Sequence, residues 1–175
     1  MNTNQTSINY GFIGGMATIA LSLLYYLLNV RGFIAYGSWI VTLTLGATMV
    51  MAALAVRKEQ DGIIEFKEAL KVTFLVWVIG SLCSTIFLYV LHNFIDTGLE
   101  EIQREVVTEM MDSFMASADE ATLETITEAM EEQGFGLDLK KSFLGYGFGL
   151  IFPGFILALI ISAILKKKRT PEIEF

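Results

Sequence analysis

The sequence predicts an all-α integral membrane fold: four transmembrane helices, with a small acidic extracytoplasmic helical hairpin between the third and the fourth. Three observations predict it. Hydrophobic residues fill 54% of the 175 positions and the mean hydropathy is +0.57, too apolar for a water-soluble domain of this length. Four runs contain no Asp, Glu, Lys or Arg, and each reaches the roughly 20 residues that a helix needs to cross the hydrocarbon core. Most of the acidic residues fall in one segment. The chain therefore divides into residues 1–95 with helices one to three, 96–141 as an acidic cap, and 142–175 with helix four and a basic tail.

The first run extends from Tyr10 to Val30. The residues before it carry no Lys or Arg, the run is longer than a signal-peptide core, and no small-residue cleavage site follows, so it reads as a retained helix. A tight turn over Asn29 to Gly32, with Arg31 its single charge, makes an antiparallel hairpin with the second run, Phe33 to Val56. The connection Arg57 to Lys71 alternates Ile63, Ile64, Phe66 and Leu70 with Glu65, Lys67, Glu68 and Lys71, the pattern of an interfacial amphipathic turn. It leads into the third run, Val72 to Leu91, which holds the one cysteine, Cys83; a lone thiol excludes an intrachain disulfide and a paired-thiolate metal site.

The segment Asp96 to Lys141 has thirteen acidic residues against Arg104, Lys140 and Lys141, a net charge of −10. Leu99, Ile102, Val106, Met110 and Phe114 recur at helical spacing, which predicts an amphipathic helix. Ser117 and Glu120 have the form of a capping box, and Leu123, Ile126 and Met130 continue the period until Gly134 and Gly136. Two short helices joined near Ala116 to Ala118 are expected to pack as a hairpin above the bundle. The fourth run, Ser142 to Leu165, ends in the membrane anchor Lys166, Lys167, Lys168 and Arg169.

Lys and Arg near span ends mark the cytoplasmic side of a membrane protein. Arg57, Lys58, Lys67, Lys71 and the four anchor residues fall on one side, against Arg31, Arg104, Lys140 and Lys141 on the other. The expectation is a multi-pass protein of the bacterial inner membrane with both termini cytoplasmic and the acidic cap in the periplasm. Trp39 and Tyr36, near the start of helix two, fit an aromatic belt at headgroup depth, whereas Trp77 falls deeper and is expected in the core.

Small residues four apart let helix backbones approach closely in lipid. Gly11 with Gly15, Gly80 with Ser84, and Gly145 with Gly149 have that spacing and are expected to pack helices, within one chain or along a homo-oligomer seam. Pro153 deletes the hydrogen bond to the Gly149 carbonyl and should bend helix four, so that water, a hydroxyl or a neighbouring helix must satisfy that carbonyl. On this reading Gly149→Leu disturbs the fold more than Ala158→Leu.

Ionisable groups inside the bilayer mark proton carriers, ion pumps and intramembrane proteases, and the four runs have none. The polar segments show no phosphate-cradling loop, nucleophile with base, zinc signature or EF-hand loop, so neither an enzyme nor a cofactor is expected, and nothing points to nucleic acid. His92, the single histidine, lies beside Asn93 and Asp96 at the end of helix three and reads as an interfacial polar residue. Two functions follow. The first is a non-enzymatic envelope scaffold, in contact with the lipid bilayer, whose cap binds a protein partner. The second is a small oligomeric transporter or pore for a neutral or amphipathic solute, lined by Thr18, Ser22, Thr42, Thr44, Thr48, Ser81, Ser84 and Thr85.

Three stretches also carry a family likeness: the start Tyr10-Gly11-Phe12-Ile13-Gly14-Gly15, the connector Gly62 to Val72, and the ending Phe152-Pro153-Gly154 through Lys168. With the acidic, Met-rich segment between helices three and four, they resemble a bacterial, Bacteroidota-type membrane family, domain of unknown function 4199. The resemblance covers nearly the whole chain. It implies a four-helix inner-membrane protein and no catalytic or binding residues.

Overall fold

The computed structural model describes residues 3–115 and 136–167. Its elements in order are α1 (Thr3–Leu28), α2 (Val30–Glu59), α3 (Phe66–Val90) with a π-helical turn at Leu91–Ile95, α4 (Leu99–Met115), α5 (Leu139–Gly149), a second π-helical turn at Leu150–Phe155, and α6 (Ile156–Leu165). Among the described residues four helices are long and apolar enough to cross a membrane: α1, α2, Phe66–Ile95, and Leu139–Leu165. Only 22% to 33% of each apolar window is buried inside the bundle, so the remainder faces a solvent that is not water. The lipid bilayer is that solvent.

The helices begin earlier than the charge-free runs, because a spanning helix continues into the polar boundary wherever nothing breaks it. Helix one starts at Thr3 rather than Tyr10, helix three at Phe66 rather than Val72, and helix four at Leu139 rather than Ser142. The turn predicted over Asn29 to Gly32 contracts to Asn29 alone. Its extended backbone (φ −156°, ψ 91°) interrupts the helix, and its side-chain oxygen accepts the Gly32 N–H at 2.9 Å, capping α2. The hairpin is antiparallel: Gly14 of α1 faces Thr48 of α2, and Tyr26 meets Phe33 edge-on at 5.8 Å.

The connector Arg57 to Lys71 differs from the interfacial turn expected of it. Most of it extends α2 or α3, and the reversal is confined to residues 60–65. Asp61 (φ 54°) and Gly62 (φ 82°) take left-handed backbone there, and the Gly62 N–H returns to the Arg57 carbonyl at 2.9 Å, closing the helix end. Ile64 is fully buried, and its backbone exchanges two hydrogen bonds with Lys167 (3.2 and 2.9 Å) at the end of helix four. Thr3 and Gln60 both donate to the Glu68 carboxylate. Residue 3, the α2–α3 connection and residue 167 thus gather at one end of the bundle, here the terminal end; Asn29 and α4 mark the opposite, cap end.

The core combines apolar side chains, Leu45, Met49, Val72, Val76 and Trp77 among them, with the buried hydroxyls of Thr6, Ser7, Thr18, Ser22, Thr48, Thr73, Ser84 and Ser162, while Phe12, Leu27, Trp39, Leu43 and Ile164 face outward. Several of these hydroxyls are satisfied by the preceding turn: Thr18 donates to Gly14 (2.8 Å), Thr73 to Ala69 (2.9 Å) and Ser84 to Gly80 (3.0 Å), whereas the Thr6 hydroxyl has no partner among the described residues. Gly11 and Gly15 of α1 lie against Ile79, Gly80 and Cys83 of α3, so close that an added Cβ would stand 2.8 Å from Ile79 or Cys83. Gly80 faces Leu45 and the Gly11 carbonyl, and Ser84 is buried one turn on. Gly14 was not singled out by spacing, yet it is as tight: its Cβ would lie 2.5 Å from the Thr48 hydroxyl.

Gly145 and Gly149 depart from the expectation of packing within one chain: among the described residues nothing lies within 4 Å of where their Cβ atoms would stand. Gly149 acts through its backbone. The carbonyl freed by Pro153 accepts the indole N–H of Trp77 from α3 at 3.1 Å, and Trp77 is buried as expected. The helix takes up Pro153 in a π-helical turn, whose wider backbone ladder spares the proline ring a clash. The glycine that does receive a neighbour is Gly154, where a Cβ would collide with the Trp77 indole. The ranking of Gly149→Leu above Ala158→Leu is reversed as well, since Ala158 is fully buried.

Candidate functional site

The cap end gathers polar groups from α1, α2, α3, α4 and the start of helix four, and it is built from the chain breaks that surround it. At the end of α3 the π-helical turn brings His92 Nδ1 to 3.0 Å from the Leu88 carbonyl. Asn93 donates to the carbonyls of Tyr89 (2.9 Å) and Leu137 (2.8 Å), tying the end of helix three to the start of helix four. Asp96 then turns the chain: one carboxylate oxygen accepts the Gly98 N–H (3.1 Å), and the other accepts the Tyr26 hydroxyl of α1 (2.7 Å).

That turn aims α4 back over the bundle. Leu99, fully buried, packs with Phe33 and Leu91 in a second small core, flanked by Tyr25, Tyr26, Val30, Ile34, Phe87 and Leu88. Val106 is buried two turns later, and Arg31 at the start of α2 pairs with Glu105 (2.9 Å) and Glu109 (2.6 Å). The predicted stripe is therefore seated along its first half only, because Met110 is 51% exposed. The second predicted helix, with Leu123, Ile126 and Met130 and the Ser117–Glu120 capping box, lies outside the described residues.

Helix four enters beside α4. Asp138 caps α5 by accepting the Lys141 N–H (2.7 Å), and the Lys141 ammonium donates to the Gly136 carbonyl (2.8 Å). The Glu100 carboxylate lies against Gly136. Two cavities open between these groups. One of about 310 Å³ is lined by His92, Asn93, Thr97, Glu100, Gly136, Leu137, Asp138 and Lys141. The other, about 210 Å³, runs between α2 and α3 along Ser22, Phe33, Ile34, Gly37, Ser38, Val41 and Leu88 beneath Gln103 of α4, and shares His92 and Leu137 with the first.

The anchor residues lie at the terminal end. Lys167 pairs through its backbone with Ile64, and the Lys166 ammonium stands 5.9 Å from the centre of the Phe66 ring, within cation–π range; Lys168 and Arg169 lie outside the described residues. The hydroxyls expected to line a solute path are largely occupied. Thr18, Thr42, Thr48, Ser81 and Ser84 each donate to a carbonyl of the preceding turn, and Thr18, Ser22, Thr48 and Ser84 are buried. No group of three or more His, Cys, Asp or Glu positioned to hold a metal ion occurs among the described residues.

These features define a multi-pass membrane protein of four apolar helices with a polar chamber at one end. The sequence model of the family described as Protein of unknown function (DUF4199) matches residues 9–167, and the chain belongs to that family. No curated protein and no solved structure matches it.

Proposed function

We propose that this is a non-enzymatic protein of the bacterial inner membrane that works as an envelope scaffold, presenting α4 to a basic protein partner outside the cytoplasm. The observation that carries the reading is how α4 is held. Leu99 and Val106 fasten its apolar edge, Tyr26–Asp96 fixes its entry, and Arg31 engages Glu105 and Glu109, while Glu101 faces away exposed. A carboxylate face set in one orientation steers a basic partner and fixes its register. The placement of both termini in the cytoplasm is supported by the eight Lys and Arg of the terminal-end segments against four at the cap end.

A photocrosslinking residue at Glu101 in native membranes tests the reading. It should capture one partner, and the adduct should disappear when salt is raised. An adduct indifferent to salt, or none at all, would count against a basic partner. Reporters near Arg57 and after Arg169 should signal cytoplasm, and one near Ala118 the opposite side.

A further inference from the structure

We infer that the paired cavities at the cap end form a binding site for a membrane amphiphile whose headgroup carries a primary ammonium. The two chambers differ in chemistry and adjoin at His92 and Leu137. Phe33, Ile34, Val41 and Leu88 give the chamber between α2 and α3 an apolar wall, suited to an acyl chain. The outer chamber carries the polar side chains of His92, Asn93, Thr97, Glu100, Asp138 and Lys141. A ligand filling both must be apolar at one end and polar at the other.

The free hydrogen-bonding capacity of the outer chamber selects the head. His92 Nδ1 faces the Leu88 carbonyl, which can only accept, so Nδ1 carries a proton, and in that tautomer Nε2 is an acceptor with no partner among the described residues. The Glu100 carboxylate likewise has no hydrogen bond among them. Asp138 spends one oxygen on the Lys141 N–H and keeps the other. The Lys141 ammonium, the one cation in the lining, already donates to Gly136. Three unmet acceptors and a net negative lining call for a cationic donor with several N–H groups, which is a primary ammonium and not a phosphate monoester or a carboxylate. The apolar chamber lies between spanning helices at the end of the membrane span, so the ligand arrives from the bilayer.

The test uses the full-length protein in a neutral maltoside detergent, with lysophosphatidylethanolamine, lysophosphatidylcholine and lysophosphatidylglycerol of one acyl chain as probes and native mass spectrometry as readout. The ethanolamine probe should be retained about tenfold more tightly than the choline probe, which has the same charge and no N–H donor. Glu100→Gln should reduce that preference while all three probes still bind through their chains. Ser38→Trp fills the apolar chamber from an exposed position and should abolish retention of every probe, whereas Leu54→Trp, on the outer surface of α2, should not. Equal retention of the three heads by the native protein would overturn the headgroup assignment. Retention unchanged in Ser38→Trp would overturn the site, and thermal unfolding of that variant, measured alongside, separates a blocked cavity from a misfolded protein.

Discussion

Helix four is two helices joined at Pro153, and its halves differ in how closely the bundle packs against them. In α6, next to the terminal end, Ala158 and Ser162 are fully buried, Ser162 exchanges a hydrogen bond with Thr73 (3.1 Å), and the helix touches both α2 and α3. In α5, next to the cap end, Phe143, Leu144 and Phe148 are 61% to 71% exposed, and the helix packs chiefly on α3, where Tyr146 donates to the Val78 carbonyl. The greater apolarity of α6 does not by itself bury it, because lipid accepts an apolar side chain as readily as a protein interior does. What separates them is where small residues and hydroxyls meet a neighbouring backbone.

The contrast should be broken most severely at the joint. Gly154→Leu drives a side chain into the Trp77 indole and should cost about 3 kcal/mol or more, because a buried indole flanked by backbone has no room to yield. A large fall in the thermal unfolding midpoint in detergent is the expected reading. Trp77→Phe is next: it removes the indole donor from the half-buried Gly149 carbonyl and should cost about 1 kcal/mol. If that variant unfolds like the native protein, the carbonyl finds another donor and the indole contact is incidental.

Comparing the two halves directly sharpens the argument. Ala158→Leu overfills a closed site and should cost about 1–3 kcal/mol, while Gly149→Leu, whose side chain enters open space, should stay within about 0.5 kcal/mol. Equal midpoints for the two would show that α5 and α6 are packed alike. The smallest effect on the bundle is expected from Val106→Asp, which places a charge under α4. Limited proteolysis should then cut within residues 96–138 while the spans keep their unfolding midpoint, since their insertion depends on hydrophobicity and not on the cap. Protection of that segment would mean that α4 is held by contacts other than Leu99 and Val106.

The spacing of small residues marks helix contacts in α1 and α3, where Gly11, Gly15 and Gly80 meet another helix, but not in α5, where Gly145 and Gly149 have the same spacing and meet no helix of the chain among the described residues. Spacing places residues on one face of their own helix. It carries nothing about whether another helix lies opposite. Gly154 escaped notice because its partner, Trp77, is 77 positions away, and Asp138 and Glu100 looked like two more charges in an acidic segment. Only the return of α4 over the bundle sets them around His92.

The sequence by itself determined the four spans, their antiparallel order and the family, because each follows from local quantities: charge-free length, short connections and motifs read along the chain. The tertiary structure decided that Trp77 donates to the Gly149 carbonyl, that helix four touches α2 and α3 in α6 but chiefly α3 in α5, and that α4 roofs a chamber with a polar mouth and an apolar interior. The physical reason is that lipid supplies no hydrophobic force between helices. Their arrangement then rests on steric fit and a few hydrogen bonds between residues distant in sequence, and no one-dimensional pattern records those pairings.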